Sequence, residues 1–165
     1  MYVYITTGTY DFLEKIKAKN ADANMILMQN GQNSLLFHES TNKSVFEVPR
    51  KYEVVESSGY LVNRGLAVFN NVPVTDEGRP VYEYRFKERI PSISKVSGFQ
   101  AIRLLRPLKG DTYVEFTLWE NEKAYSDWKH SSSYEEAQKA VSAAEFKSIF
   151  SGPAYFTQYI IPNEE

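Results

Sequence analysis

The sequence predicts an α+β fold, and three observations predict it. Short runs rich in β-formers recur along the whole chain. Two amphipathic helical patterns lie between such runs over residues 63–161, and turn-forming residues separate the pieces. Its 165 residues, 42% hydrophobic and 24% charged, suffice for one ordinary domain or for two small halves sharing a core. Twelve tyrosines and ten phenylalanines suit a sheet-rich core.

Residues 2–6 alternate and read as a strand. Thr9 caps a helix from Tyr10 to about Asn20, with Phe12, Leu13 and Ile16 on one face. Runs 24–29 and 34–38 flank Asn30-Gly31, a pair that favours a tight hairpin. Runs 44–48 and 52–56 read as two further strands, edge-like because of Pro49 and Gly59. Residues 65–72 are a strand. Thr75 then caps a helix to about Arg89, with Asp76 and Glu77 in its first turn, Tyr82, Phe86 and Ile90 on one face, a Glu83–Lys87 pair on another, and Pro91 closing it. Residues 99–106 are a strand and 107–111 a turn. In 112–119, Thr112, Val114, Phe116 and Leu118 alternate with Tyr113, Glu115 and Thr117, which implies one buried and one partly wet face. A helix carrying Trp128 follows. Ser131–Ser133 cap a second helical piece from Tyr134, Ser151-Gly152-Pro153 breaks the chain, and 154–161 form the last strand.

Residues 63–161 thus spell β-α-β-β-α-β, the ferredoxin-like order. Residues 1–62 form a β-rich half that begins the same way and continues in strands; no repeat is visible at the level of identity. A four-stranded sheet with helices on one face needs cover on the other. The N-terminal half is expected to supply it within one chain, making a monomer the expected state rather than a homodimer.

A net charge of −2 gives no electrostatic argument for nucleic acid or an anionic membrane. The absence of cysteine excludes disulfides, zinc–thiolate sites and cysteine nucleophiles. With no signal-peptide pattern and no apolar run approaching ~20 residues, a cytoplasmic protein is expected. No metal-ligand spacing, Ser-His-Asp set or phosphate-cradling glycine pattern occurs. Arg103 and Arg106 flank an apolar strand and read as salt-bridge formers, and His38 and His130 as surface residues.

Segments 67–89 (AVFNNVPVTDEGRPVYEYRFKER), 98–107 (GFQAIRLLRP) and 117–138 (TLWENEKAYSDWKHSSSYEEAQ) resemble the antibiotic-biosynthesis-monooxygenase domain. Within it they are most similar to bacterial haem-degrading monooxygenases of the IsdG type, in a long form with an extra N-terminal half. The resemblance implies an α+β barrel and the use of haem as both substrate and cofactor, with oxygen and an external electron donor. It also implies roles for named residues. Asn70 matches the asparagine that hydrogen-bonds toward iron-bound oxygen, and Trp128 the tryptophan that ruffles the porphyrin. Phe86 and Arg89 match positions near the haem pocket. The family's iron-ligating histidine is Gln138 here, and a carboxamide is a poor axial donor. The proximal ligand would then be His130, His38 or solvent. His130, about 200° round the helix from Trp128, is expected to point away from it. Two alternatives follow from the substitution: a non-catalytic or weakly haem-binding relative acting in interaction or stress signalling, or a cofactor-free oxygenase acting on a planar aromatic substrate.

Overall fold

The computed structural model describes residues 1–142 and 148–162. Along the chain run β1 (Tyr2–Gly8), α1 (Tyr10–Lys19), β2 (Met25–Gln29), β3 (Ser34–Ser40), β4 (Arg50–Gly59), β5 (Gly65–Pro73), α2 (Arg79–Ile93), β6 (Phe99–Pro107), β7 (Thr112–Trp119), α3 (Glu122–Lys129), α4 (Ser132–Ser142) and β8 (Tyr155–Ile161). The strands close into one antiparallel barrel in the order β1-β3-β2-β8-β5-β7-β6-β4, with β4 returning to β1. The first half contributes β4-β1-β3-β2 and the second β8-β5-β7-β6. The two sheets therefore share one strand order that sequence identity conceals.

Alternating residues of both halves fill the barrel. Phe37 of β3 stacks on Phe116 of β7 at 4.4 Å between ring centroids, and Phe69 meets Phe116 and Tyr159 edge-on. Near one end a buried ion pair crosses the halves: Arg103 on β6 donates through Nε to Glu39 on β3 at 2.7 Å, and its other nitrogens donate to the carbonyls of Ser58, Gly59 and Ile102. The β4–β6 seam runs from Tyr52↔Pro107 to Gly59↔Ala101. Among the described residues the β2–β8 seam has one bridge, Gln29↔Ile160, reinforced by Asn30 Nδ2 donating to the Gln158 carbonyl and Tyr159 Oη donating to Asn33 Oδ1, each at 3.2 Å.

Several expectations change. Residues 44–48 are not a strand; they form a loop that folds Phe46 back onto Tyr4 and His38, where the second half has helices. β4 is not an edge, because the closed barrel has none there. Gly59, at φ +76°, serves close approach instead, since a Cβ would lie 2.1 Å from the Gln100 carbonyl oxygen. The 30–33 hairpin is a four-residue loop in which Asn30 Oδ1 accepts from the Gln32 and Asn33 amides, so the turn is held by the asparagine side chain. Thr75 caps a turn, accepting from Gly78 N, and leaves Asp76 and Glu77 ahead of α2, which begins at Arg79-Pro80. Pro91 lies within α2. It falls in the last turn, so the helix loses a single amide donor, the one that would have served the Lys87 carbonyl. Glu83 pairs with Arg106 instead of Lys87. The outer face of β7 is covered as well: Tyr113, Thr117 and Trp119 are buried beneath the helices.

Candidate functional site

The outer face of the second half's sheet is hollowed into a cavity of about 210 Å³ between α2 and the α3–α4 pair. Strand periodicity decides what forms its floor. Asn70 and Asn71 are neighbours in sequence, so they face opposite sides of β5. Asn71 is buried and donates to the Tyr155 carbonyl, whereas Asn70 looks outward into the cavity. Directly opposite Asn70 on β7 stands Glu115. Asn70 Nδ2 donates to Glu115 Oε1 at 3.2 Å. Tyr82 Oη donates to Oε2 at 2.5 Å, and Arg89 Nη2 lies 3.5 Å from the same oxygen.

The helices supply the walls. Phe86 and Arg89 come from α2, with the Arg89 guanidinium 5.0 Å from the Phe86 ring centroid. Trp128, in the last turn of α3, packs at 5.2 Å on Trp119 and at 4.7 Å edge-on to Tyr134 of α4. Ser131 holds this joint: its hydroxyl donates to the Trp128 carbonyl and accepts from Tyr134 N. Burial pushes the Tyr125 phenol up to about 12, with Tyr134 adding to it, and burial followed by the Glu115 charge raises Tyr134. Burial first, and then Glu115, lifts Tyr82 well above the ordinary tyrosine range. All three phenols keep their protons at neutral pH. Two polar atoms on this cavity's residues, Asn70 Oδ1 and Tyr125 Oη, are buried without a partner among the described residues.

Asn70, Phe86, Arg89, Trp128 and Gln138 thus share one cavity, Gln138 on its exposed side. The histidines do not join them. His130 caps α3, is exposed, and its Nδ1 lies 2.7 Å from the Ser126 carbonyl. His38 is buried, not on the surface, and it belongs to the first half of the barrel. Arg103 and Arg106 are both engaged in ion pairs.

Residues 66–140 match the antibiotic biosynthesis monooxygenase family. The chain is 31% identical over 129 residues to a heme-degrading monooxygenase of Listeria monocytogenes, an overlap covering 78% of this chain and 77% of that one. The chain belongs to the antibiotic biosynthesis monooxygenase family. It is also 29% identical over 166 residues to the signal transduction protein TRAP of Staphylococcus epidermidis, covering 100% of this chain and 99% of that protein. The crystal structure of a heme-degrading enzyme from Listeria monocytogenes superposes with a TM-score of 0.78 at 27% identity, over 98% of this chain and all of that one. This monooxygenase family and its ferredoxin-like barrel are what the sequence led us to expect. The residue that sequence reasoning missed is Glu115. Its alternation with Tyr113 and Thr117 was legible, but that face was read as partly wet, so a carboxylate there called for no explanation.

Proposed function

We propose that this chain is a monooxygenase-like protein that holds a planar conjugated ring system against Trp128. Haem, which the name of the Listeria relative carries, is the first candidate. The carrying observation is the convergence of Asn70, Phe86, Arg89 and Trp128 on one aromatic-walled cavity. Trp128, Tyr134 and Phe86 offer ring faces and edges for stacking. Arg89 offers a planar donor fork to a carboxylate at the ligand's rim. The helices exclude bulk water from the sheet floor, which strengthens polar contacts made there.

The donors present do not fit a protein-ligated haem iron. Gln138 is a carboxamide, neither histidine lines the cavity, and the raised phenols of Tyr125 and Tyr134 resist the ionisation that ligation requires. Haem would be held here by Trp128, Tyr134 and Phe86 against its ring and by Arg89 at its rim. The same donor set favours a second reading, cofactor-free oxygenation of a smaller aromatic substrate. The full-length likeness to TRAP is compatible with a signalling role and adds no site residue in its favour.

Titrating the protein with haemin at micromolar concentration, while following the Soret band, tests the haem reading. Saturable one-to-one binding is expected, weakened at least tenfold in Trp128→Ala and spectrally unchanged in His130→Ala. Loss of the band on adding a reductant in air, resistant to catalase, would establish degradation. No saturable change would exclude haem and leave the smaller aromatic substrate.

A further inference from the structure

We infer that Glu115 is a positioning residue that decides which half of the Asn70 amide a ligand meets, making the cavity selective for ring systems that carry an O–H or N–H donor. This inference rests on the proposed ring-binding function. Asn70 and Glu115 are register partners across β5 and β7, so their side chains stand side by side on the outer face. Glu115 Oε1 accepts from Asn70 Nδ2, and Oε2 faces the Tyr82 hydroxyl and the Arg89 guanidinium. A carboxylate served by these donors has no hydrogen of its own to give. Turning the Asn70 amide over would set its carbonyl oxygen against Oε1 with no proton between them. The N–H half is therefore taken, and the carbonyl half is left buried without a partner.

That orphaned acceptor carries the desolvation penalty of an unpaired carbonyl until a donor reaches it. Tyr125, 4% exposed on the same cavity, has the second unpartnered atom, but a hydroxyl both gives and accepts and so imposes no sign. Asn70 Oδ1 only accepts. A site built to pair a ligand hydroxyl rejects the analogue that lacks its hydrogen. Glu115 thereby sets the polarity of recognition through Asn70.

Two probes with the same ring separate the inference from its premise: 2-naphthol, which donates, and 2-methoxynaphthalene, which does not. Binding to the full chain is measured by calorimetry at neutral pH. We expect 2-naphthol to bind roughly tenfold more tightly. In Glu115→Gln the new amide can donate to Asn70 Oδ1 and release its N–H, so the ratio should fall toward one. Equal affinities in the wild-type protein would overturn the inference and leave ring binding intact. Binding of neither probe would overturn both. The wild-type ratio needs no variant, so a poorly folding Glu115→Gln does not block the test.

Discussion

Burying an imidazole without a partner favours its neutral form, and His38 shows the consequence for stability. It is 5% exposed on β3, its ring lies near those of Tyr4 and Phe46, and its Nδ1 has no hydrogen-bond partner among the described residues. Burial lowers its pKa below the ordinary 6.5. The unfolded chain therefore takes up the proton first as pH falls. Stability is unaffected above about pH 6.5, declines below it, and the penalty is complete once pH has passed through the lowered folded value. Carboxylates elsewhere also respond to acid, so the comparison must be with a variant. We expect urea-unfolding free energy to fall more steeply between about pH 6.5 and 5 in the wild-type protein than in His38→Phe. Equal slopes would show that His38 is accommodated in its charged form.

At the scale of the element, the joint between α3 and α4 links local sequence to the site. Neither helix is long, at eight and eleven residues, and helices of that length depend on caps and packing. Ser131 bridges Trp128 and Tyr134, the two rings that meet at 4.7 Å in the cavity wall. Ser131→Ala should cost about 1 kcal/mol, a lower melting temperature by a few degrees, and should weaken 2-naphthol binding. Unchanged affinity would mean that packing on Trp119 alone positions Trp128. This cap was legible in the sequence, as were Thr9 and the strand alternations, because each depends on residues a few positions apart. What was not legible depends on distant partners. Pro91 falls inside α2 because Ile93, beyond it, is buried in the outer cluster with Tyr82 and Phe86. Glu83 abandons Lys87 because Arg106 and Tyr113 reach it from β6 and β7. Burial opposes its ionisation, but their hydrogen bonds outweigh that and hold its carboxyl below the ordinary range. Asn70, Trp128 and Gln138 were named through resemblance alone; their convergence is a property of sheet order.

The whole molecule answers a problem that either four-stranded sheet has by itself: helices cover one face and the other is apolar. Here the two inner faces cover each other, through Phe37 on Phe116 and through Arg103 reaching Glu39. The first half manages with one helix because the loop carrying Phe46 covers His38 where a second helix would lie. Long-range contacts of this kind are not encoded in any local pattern, which explains why identity shows no repeat while strand order does. A closed barrel leaves no inner sheet face for a second copy to cover, so we expect a monomer. Light scattering on the purified chain should return a mass near 19.0 kDa across micromolar concentrations. A stable dimer would require another contact surface. The exposed side chains of β8, Phe156 and Ile160 beside the single-bridge seam to β2, are where it should then be sought. If such a dimer formed there, Ile160→Asp should restore the monomer, because a carboxylate buried at an interface without a partner is strongly unfavourable.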